Sequence, residues 1–126
     1  MSLTSLKIVK SFWGYVYLEG SPEDLINVIE HFRTELGRDT EDVRDTLRIL
    51  RNFDIFYDMM KRKFKDFISP RKSESDLIKG VVVIDKVKLS RDNGRKAVIV
   101  FDKRVDEETI LEVVKSLGYT AEVFKE

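Results

Sequence analysis

Cysteine is absent from this 126-residue chain, and histidine and tryptophan occur once each. Without thiols there can be no disulfide, no thiolate metal site and no cysteine nucleophile. Charge of one sign is missing too. The 23 Lys and Arg balance 23 Asp and Glu, so no whole-molecule field steers the chain towards a polyanion or an anionic membrane. No apolar run approaches the ~20 residues of a spanning helix, and the N-terminus lacks a signal-peptide pattern. Only two prolines and six glycines punctuate the sequence, so each reads as a boundary.

What is present suffices for a core. Hydrophobic residues make up 42% of the chain, with 8 Phe and 4 Tyr. A chain this long buries roughly two-thirds of its unfolded surface as one domain, here 1–126. The 37% charged content without cysteine has the flavour of heat-adapted intracellular proteins, and a cytoplasmic setting is expected. Met1-Ser2-Leu3-Thr4 carries no pattern and receives no structural role.

Alternation of apolar residues predicts a first strand from about Leu6 to Glu19, ended by Gly20. Phe12, Val16 and Leu18 fall on one face of it, and Trp13, Tyr15 and Tyr17 on the other. Ser21-Pro22-Glu23-Asp24 starts a helix, with Ser21 as cap and proline at the first helical position. Leu25, Val28, Ile29, Phe32 and Leu36 give its stripe, and Gly37 closes it. Asp39 or Thr40 caps a second, long helix over about 40–68, ended by Ser69-Pro70. Its stripe runs through Val43, Leu47, Leu50, Phe53, Tyr57, Met60, Phe64 and Phe67. Unbroken, residues 41–67 would span about 40 Å, so the helix must break near Asn52-Phe53-Asp54, lie obliquely or project.

Strands return at Val81-Val82-Val83-Ile84, continuing to Val87 and Leu89, and at Ala97 to Phe101, joined by a turn ending Asn93-Gly94. Asp106-Glu107-Glu108 opens a last helix closed by Gly118, before a short strand from Tyr119 to Lys125. The order β-α-α-β-β-α-β is an α+β, ferredoxin-like split β-α-β sandwich with one long inserted helix.

Lys88 to Val123 resembles the C-terminal half of heavy-metal-associated domains, through Gly94-Arg95-Lys96-Ala97-Val98-Ile99-Val100-Phe101-Asp102, Leu117-Gly118-Tyr119 and Thr120-Ala121-Glu122-Val123. That family takes metal with two cysteines at the turn into its first helix. The matching turn here, Gly20 to Ile26, has none, and Cu(I) requires soft sulfur ligands. The resemblance therefore implies the fold without the metal, and no cofactor is expected. Val16-Tyr17-Leu18-Glu19-Gly20 is similar to the first-strand motif of RNA-recognition motifs. The aromatics that family carries on its third strand are replaced by Lys96 and Val98.

Two surfaces are candidates. Phe53, Tyr57, Met60 and Phe64 form an aromatic helix stripe suited to packing on a sheet or on a second copy, so a homodimer without a membrane partner is expected. Trp13, Tyr15 and Tyr17 could instead stack bases, with phosphates on the basic run Lys61, Arg62, Lys63, Lys65, Arg71 and Lys72. The bland reading of that run is a cationic helix end opposite the acids Asp39, Glu41, Asp42 and Asp45. Because the central strands are apolar on both sides, the sheet face bearing the tyrosines is expected to be covered by the long helix or a second subunit. His31, between Asn27 and Glu35 on one helix face, has no companion ligand cluster. No nucleotide fingerprint or nucleophile elbow occurs, and an enzymatic role is not expected. The leading function is a non-enzymatic association module. The alternatives are a single-stranded nucleic-acid binder and a small-ligand sensor.

Overall fold

Leu6 and Ile8 alternate with Lys7 and Val9, which suits a strand buried on one side. In the computed structural model, which describes residues 4–126, that strand is β1, Ser5–Lys10. Met1 to Leu3 lie outside the described residues. The predicted strand over 6–19 does not run through. It folds back at Ser11 to Tyr15 into β2, Val16–Gly20. Ser11 closes this turn, its N–H donating to the Tyr15 carbonyl at 2.8 Å while its Oγ accepts the Tyr15 N–H at 3.1 Å. Gly14 supplies the left-handed residue, at φ 90°. Phe12 and Trp13 are strong strand formers by propensity and masked a turn that only Ser11 and Gly14 signal.

Helix α1, Pro22–Thr34, starts as expected, with Ser21 Oγ accepting the Asp24 N–H at 3.1 Å. The long inserted helix is two helices, α2 (Glu41–Arg51) and α3 (Phe53–Arg62). They break at Asn52, whose φ of −116° and ψ of 44° are not helical and whose Nδ2 donates to the Arg48 carbonyl. Thr40 sits at the cap of α2 without a side-chain bond to it. Beyond α3 the chain turns at Phe64, φ 53°, and pairs Ile68 with Val87. It then forms a short unpredicted helix, α4 (Glu74–Lys79), capped by Ser73 and closed by Gly80. Val81 to Val83 approach the sheet without joining it, and β3 is Ile84–Ser90. β4 (Lys96–Phe101), α5 (Glu107–Ser116) and β5 (Thr120–Lys125) complete the chain.

The sheet order is β3-β4-β2-β1-β5. β1 lies antiparallel to β2 and parallel to β5, and the other neighbours are antiparallel. Without β1 this is the ferredoxin-like split β-α-β sandwich; the first hairpin inserts a fifth strand between its edge and its first strand. Leu6, Ile8, Val16, Leu18, Val87, Leu89, Ala97, Ile99 and Phe101 join Leu25, Ile29, Phe32, Val43, Leu47, Leu50 and Ile110 in one core.

The acids at the start of α2 do more than complement its dipole. Asp42 is fully buried, and its Oδ2 accepts the N–H groups of both Val83 and Ile84 at 2.8 Å. Asp45 accepts the Arg71 N–H at 2.8 Å. These bonds seat the returning chain beside α2 and so set where β3 begins.

Candidate binding face

Strand alternation places a second set of side chains on the sheet face opposite the core. Register aligns them in two rows. Phe124, Val9, Tyr17, Val100 and Lys86 run across the five strands, and Glu122, Lys7, Glu19, Val98 and Lys88 run beside them. Only Val100 is buried; Val9, Tyr17, Glu19 and Val98 are half-buried and the rest are exposed. The inserted helices give this face no full cover: α3 reaches it only at the β3 side, where Tyr57, Met60 and Lys61 stand with Glu19, Lys88 and Val98. α2 packs on α1 and β3, and its apolar side enters the core. Lys86, Lys88 and Lys96 leave β3 and β4 on this outer face because their neighbours Val87, Leu89 and Ala97 are the ones that face the core.

The end of α3 and the stretch after it pass round the β3 edge and bring their own cations to this face. Lys61 and Lys65 line a cavity of about 390 Å³ together with Lys88 and Lys96. Glu19, Asp66 and Asp92 share the same walls. Among the described residues none of these four lysines lies within ion-pair distance of a carboxylate. Aromatic rings steady several of the lysines: Lys61 Nζ is 5.6 Å from the Tyr57 centroid, Lys88 is 6.0 Å and Lys86 5.3 Å from Phe67, and Lys103 is 4.8 Å from Tyr15.

The two sequence-predicted surfaces fare differently. Trp13 does not share a strand face with Tyr15 and Tyr17; it stands in the β1–β2 turn, 75% exposed, edge-on to Phe12 at 5.4 Å. Tyr15 and Tyr17 lead from that tip along β2 onto the outer face, both half-buried. The basic run divides. Lys61 and Lys65 reach the cavity, Lys63 lines a smaller one with Met59 and Phe67, and Arg62 is exposed. Lys72 is turned away and donates to the Asp85 carbonyl at 3.1 Å.

In the helix stripe, Phe53 and Met60 are 4% exposed, buried in this chain's own core, and Tyr57 stacks on Phe53 at 6.1 Å. Phe64 alone is open, 96% exposed. Sequence reading passed over Glu19, Lys86 and Lys88 as site residues. The charged residues alternating with Val87 and Leu89 were the available signal.

Among the described residues no group of three or more His, Cys, Asp or Glu side chains could hold a metal ion, and no helix is long and apolar enough to cross a membrane. No family model matches the chain, and neither the curated proteins nor the solved structures contain a match to it.

Proposed function

We propose that the chain works by binding, through the outer face of its sheet, and that a single strand of nucleic acid is its ligand. One observation carries the reading. Trp13 at the tip of the first hairpin, then Tyr15 beyond it and Tyr17 on the central strand β2, lead to Glu19, where four lysines, none within ion-pair distance of a carboxylate among the described residues, line one cavity. Rings on such a platform accept bases of any sequence, and ammonium groups along its rim neutralise phosphates. The lysine in place of a third-strand aromatic, Lys96, then serves the phosphates rather than the bases. A cytoplasmic setting belongs to this reading.

The test is titration of short oligouridine and oligothymidine strands, followed by Trp13 emission. Saturable quenching is expected at low salt. With about four phosphates neutralised, the logarithm of the binding constant should fall about threefold as steeply as the logarithm of salt rises. No change in emission or anisotropy at low salt would remove the reading.

A second reading has its own support. The row Phe124, Val9, Tyr17 and Val100 is uncharged across four strands, so two copies could meet face to face. Against this, a two-fold stack would bring Lys7, Lys86 and Lys88 of each copy under cover, and desolvating unpaired ammonium groups is costly. Sedimentation over a concentration series separates the two. A dimer that dissociates when Tyr17 becomes Glu would establish the face-to-face pair.

A further inference from the structure

The cavity beside β3 has a composition that a purely phosphate-binding groove would not need. Four lysines and three carboxylates share its walls, and no lysine is paired with any of the carboxylates. We infer that this cavity is a mononucleotide subsite, in which Lys61, Lys65, Lys88 and Lys96 take a phosphate monoester while Glu19 and Asp66 accept hydrogen bonds from ribose hydroxyls or a base amino group. The inference rests on the nucleic-acid reading for its place at the end of the β2 track, but the cavity's own chemistry can be tested apart from that track.

Three observations point the same way. The volume, about 390 Å³, lies within the usual range for small-molecule sites, roughly 300–1,000 Å³. Lys61 and Lys88 are steadied against Tyr57 and Phe67, so ordering their ammonium groups on a ligand loses less entropy than ordering free side chains. The lysines outnumber the carboxylates by one, which favours an anion that also offers donors over a bare polyphosphate. Carboxylates accept from hydroxyl and amino groups and repel phosphate oxygens, so a nucleotide offers each set of wall groups its own partner, phosphate to the lysines and nucleoside donors to the carboxylates. The nucleotide can be free or the phosphorylated terminal residue of a strand, and the chemistry is the same.

The experiment titrates AMP, UMP and adenosine into the full chain by calorimetry, and compares strands with and without a terminal 5′-phosphate. AMP and UMP should bind at least about tenfold more tightly than adenosine, the factor that corresponds to about 1.4 kcal/mol for charge-assisted contacts. The exposed double variant Lys88→Gln/Lys96→Gln should erase that margin without moving the unfolding transition. Glu19→Gln should alter discrimination between AMP and its 2′-deoxy form, which a merely structural Glu19 would not do.

AMP and adenosine binding equally, or AMP affinity unchanged in the double variant, would overturn the inference. If AMP fails while oligouridine still quenches Trp13, the subsite falls and the platform stands. If AMP binds while strands do not, the platform falls and the chain is a mononucleotide binder. An advantage for 5′-phosphorylated strands assigns the subsite to a strand terminus, and its absence with AMP bound assigns it to the free nucleotide.

Discussion

The guanidinium of Arg91 sits 4.3 Å from the centroid of the Tyr57 ring, clasping the β3–β4 turn onto α3. Arg91 also reaches Asp54 at 3.5 Å and Asp58 at 3.6 Å, while Arg95 bonds Asp54. Tyr57 in turn steadies Lys61. Arg91→Ala is therefore expected to destabilise the fold by about 1 kcal/mol, since a partly exposed cation–π contact and surface ion pairs are each worth about that or less. Urea unfolding measures it. An unchanged midpoint would mean that Arg91 adds nothing to what Phe53, Met60 and the Arg95–Asp54 pair already hold.

Asp42 makes a larger claim. Its Oδ2 is the acceptor for two buried backbone donors, Val83 and Ile84. Asp42→Ala leaves both without a partner, and each such group costs about 1–3 kcal/mol, so a loss of about 3 kcal/mol or failure to fold is expected. Asp42→Asn keeps an acceptor oxygen and should lose less. Equal stability of the Ala variant and the parent in urea would contradict the pinning role.

Phe64 has a positive φ of 53° and is almost wholly exposed, so its side chain returns little for a backbone state that disfavours it. Phe64→Gly should stabilise the fold by about 1 kcal/mol, read as a higher urea midpoint. Sedimentation of the same variant asks whether the ring is an association anchor. A parent dimer that becomes monomeric on this substitution would restore Phe64 to an interface.

Trp13 reports on the tip of the first hairpin. Its exposure predicts red-shifted emission that acrylamide quenches readily at every protein concentration. Blue-shifted, protected emission that deepens with concentration would show a second copy covering the turn.

Glu30 ties α1 to α2. Hydrogen bonding from Arg33 first, and then from Arg51, holds its carboxyl below the ordinary glutamate range despite partial burial. Because the folded value is depressed, this contribution is present above the unfolded value of about 4.3 and is lost as pH falls through the folded one. Unfolding midpoints measured between pH 6 and pH 3, on a scale anchored to that value of about 4.3, should decline less for Glu30→Gln than for the parent. Parallel declines would show that the bridge does not contribute.

The sequence by itself determined the split β-α-β order, the start of α1 at Ser21-Pro22, and the absence of thiol ligands at the turn where a metal-binding relative of this fold would carry them. These rest on local chemistry: periodicity, caps, and the presence or lack of a residue type. Tertiary structure decided the rest.

Whether Trp13 lies in a strand or a turn depended on Ser11 bonding to Tyr15, a choice that β-propensity opposes. Whether Phe53 and Met60 face solvent, a partner or their own core depended on the break at Asn52, which redirects α3 towards β3. Lys61 and Lys65 meet Lys88 and Lys96 only because the chain rounds the β3 edge, and no pattern within either segment encodes that meeting. Periodicity fixes which side of an element is apolar. What that side packs against is set by distant backbone contacts, here the bonds from Asp42 and Asp45 that seat the returning chain.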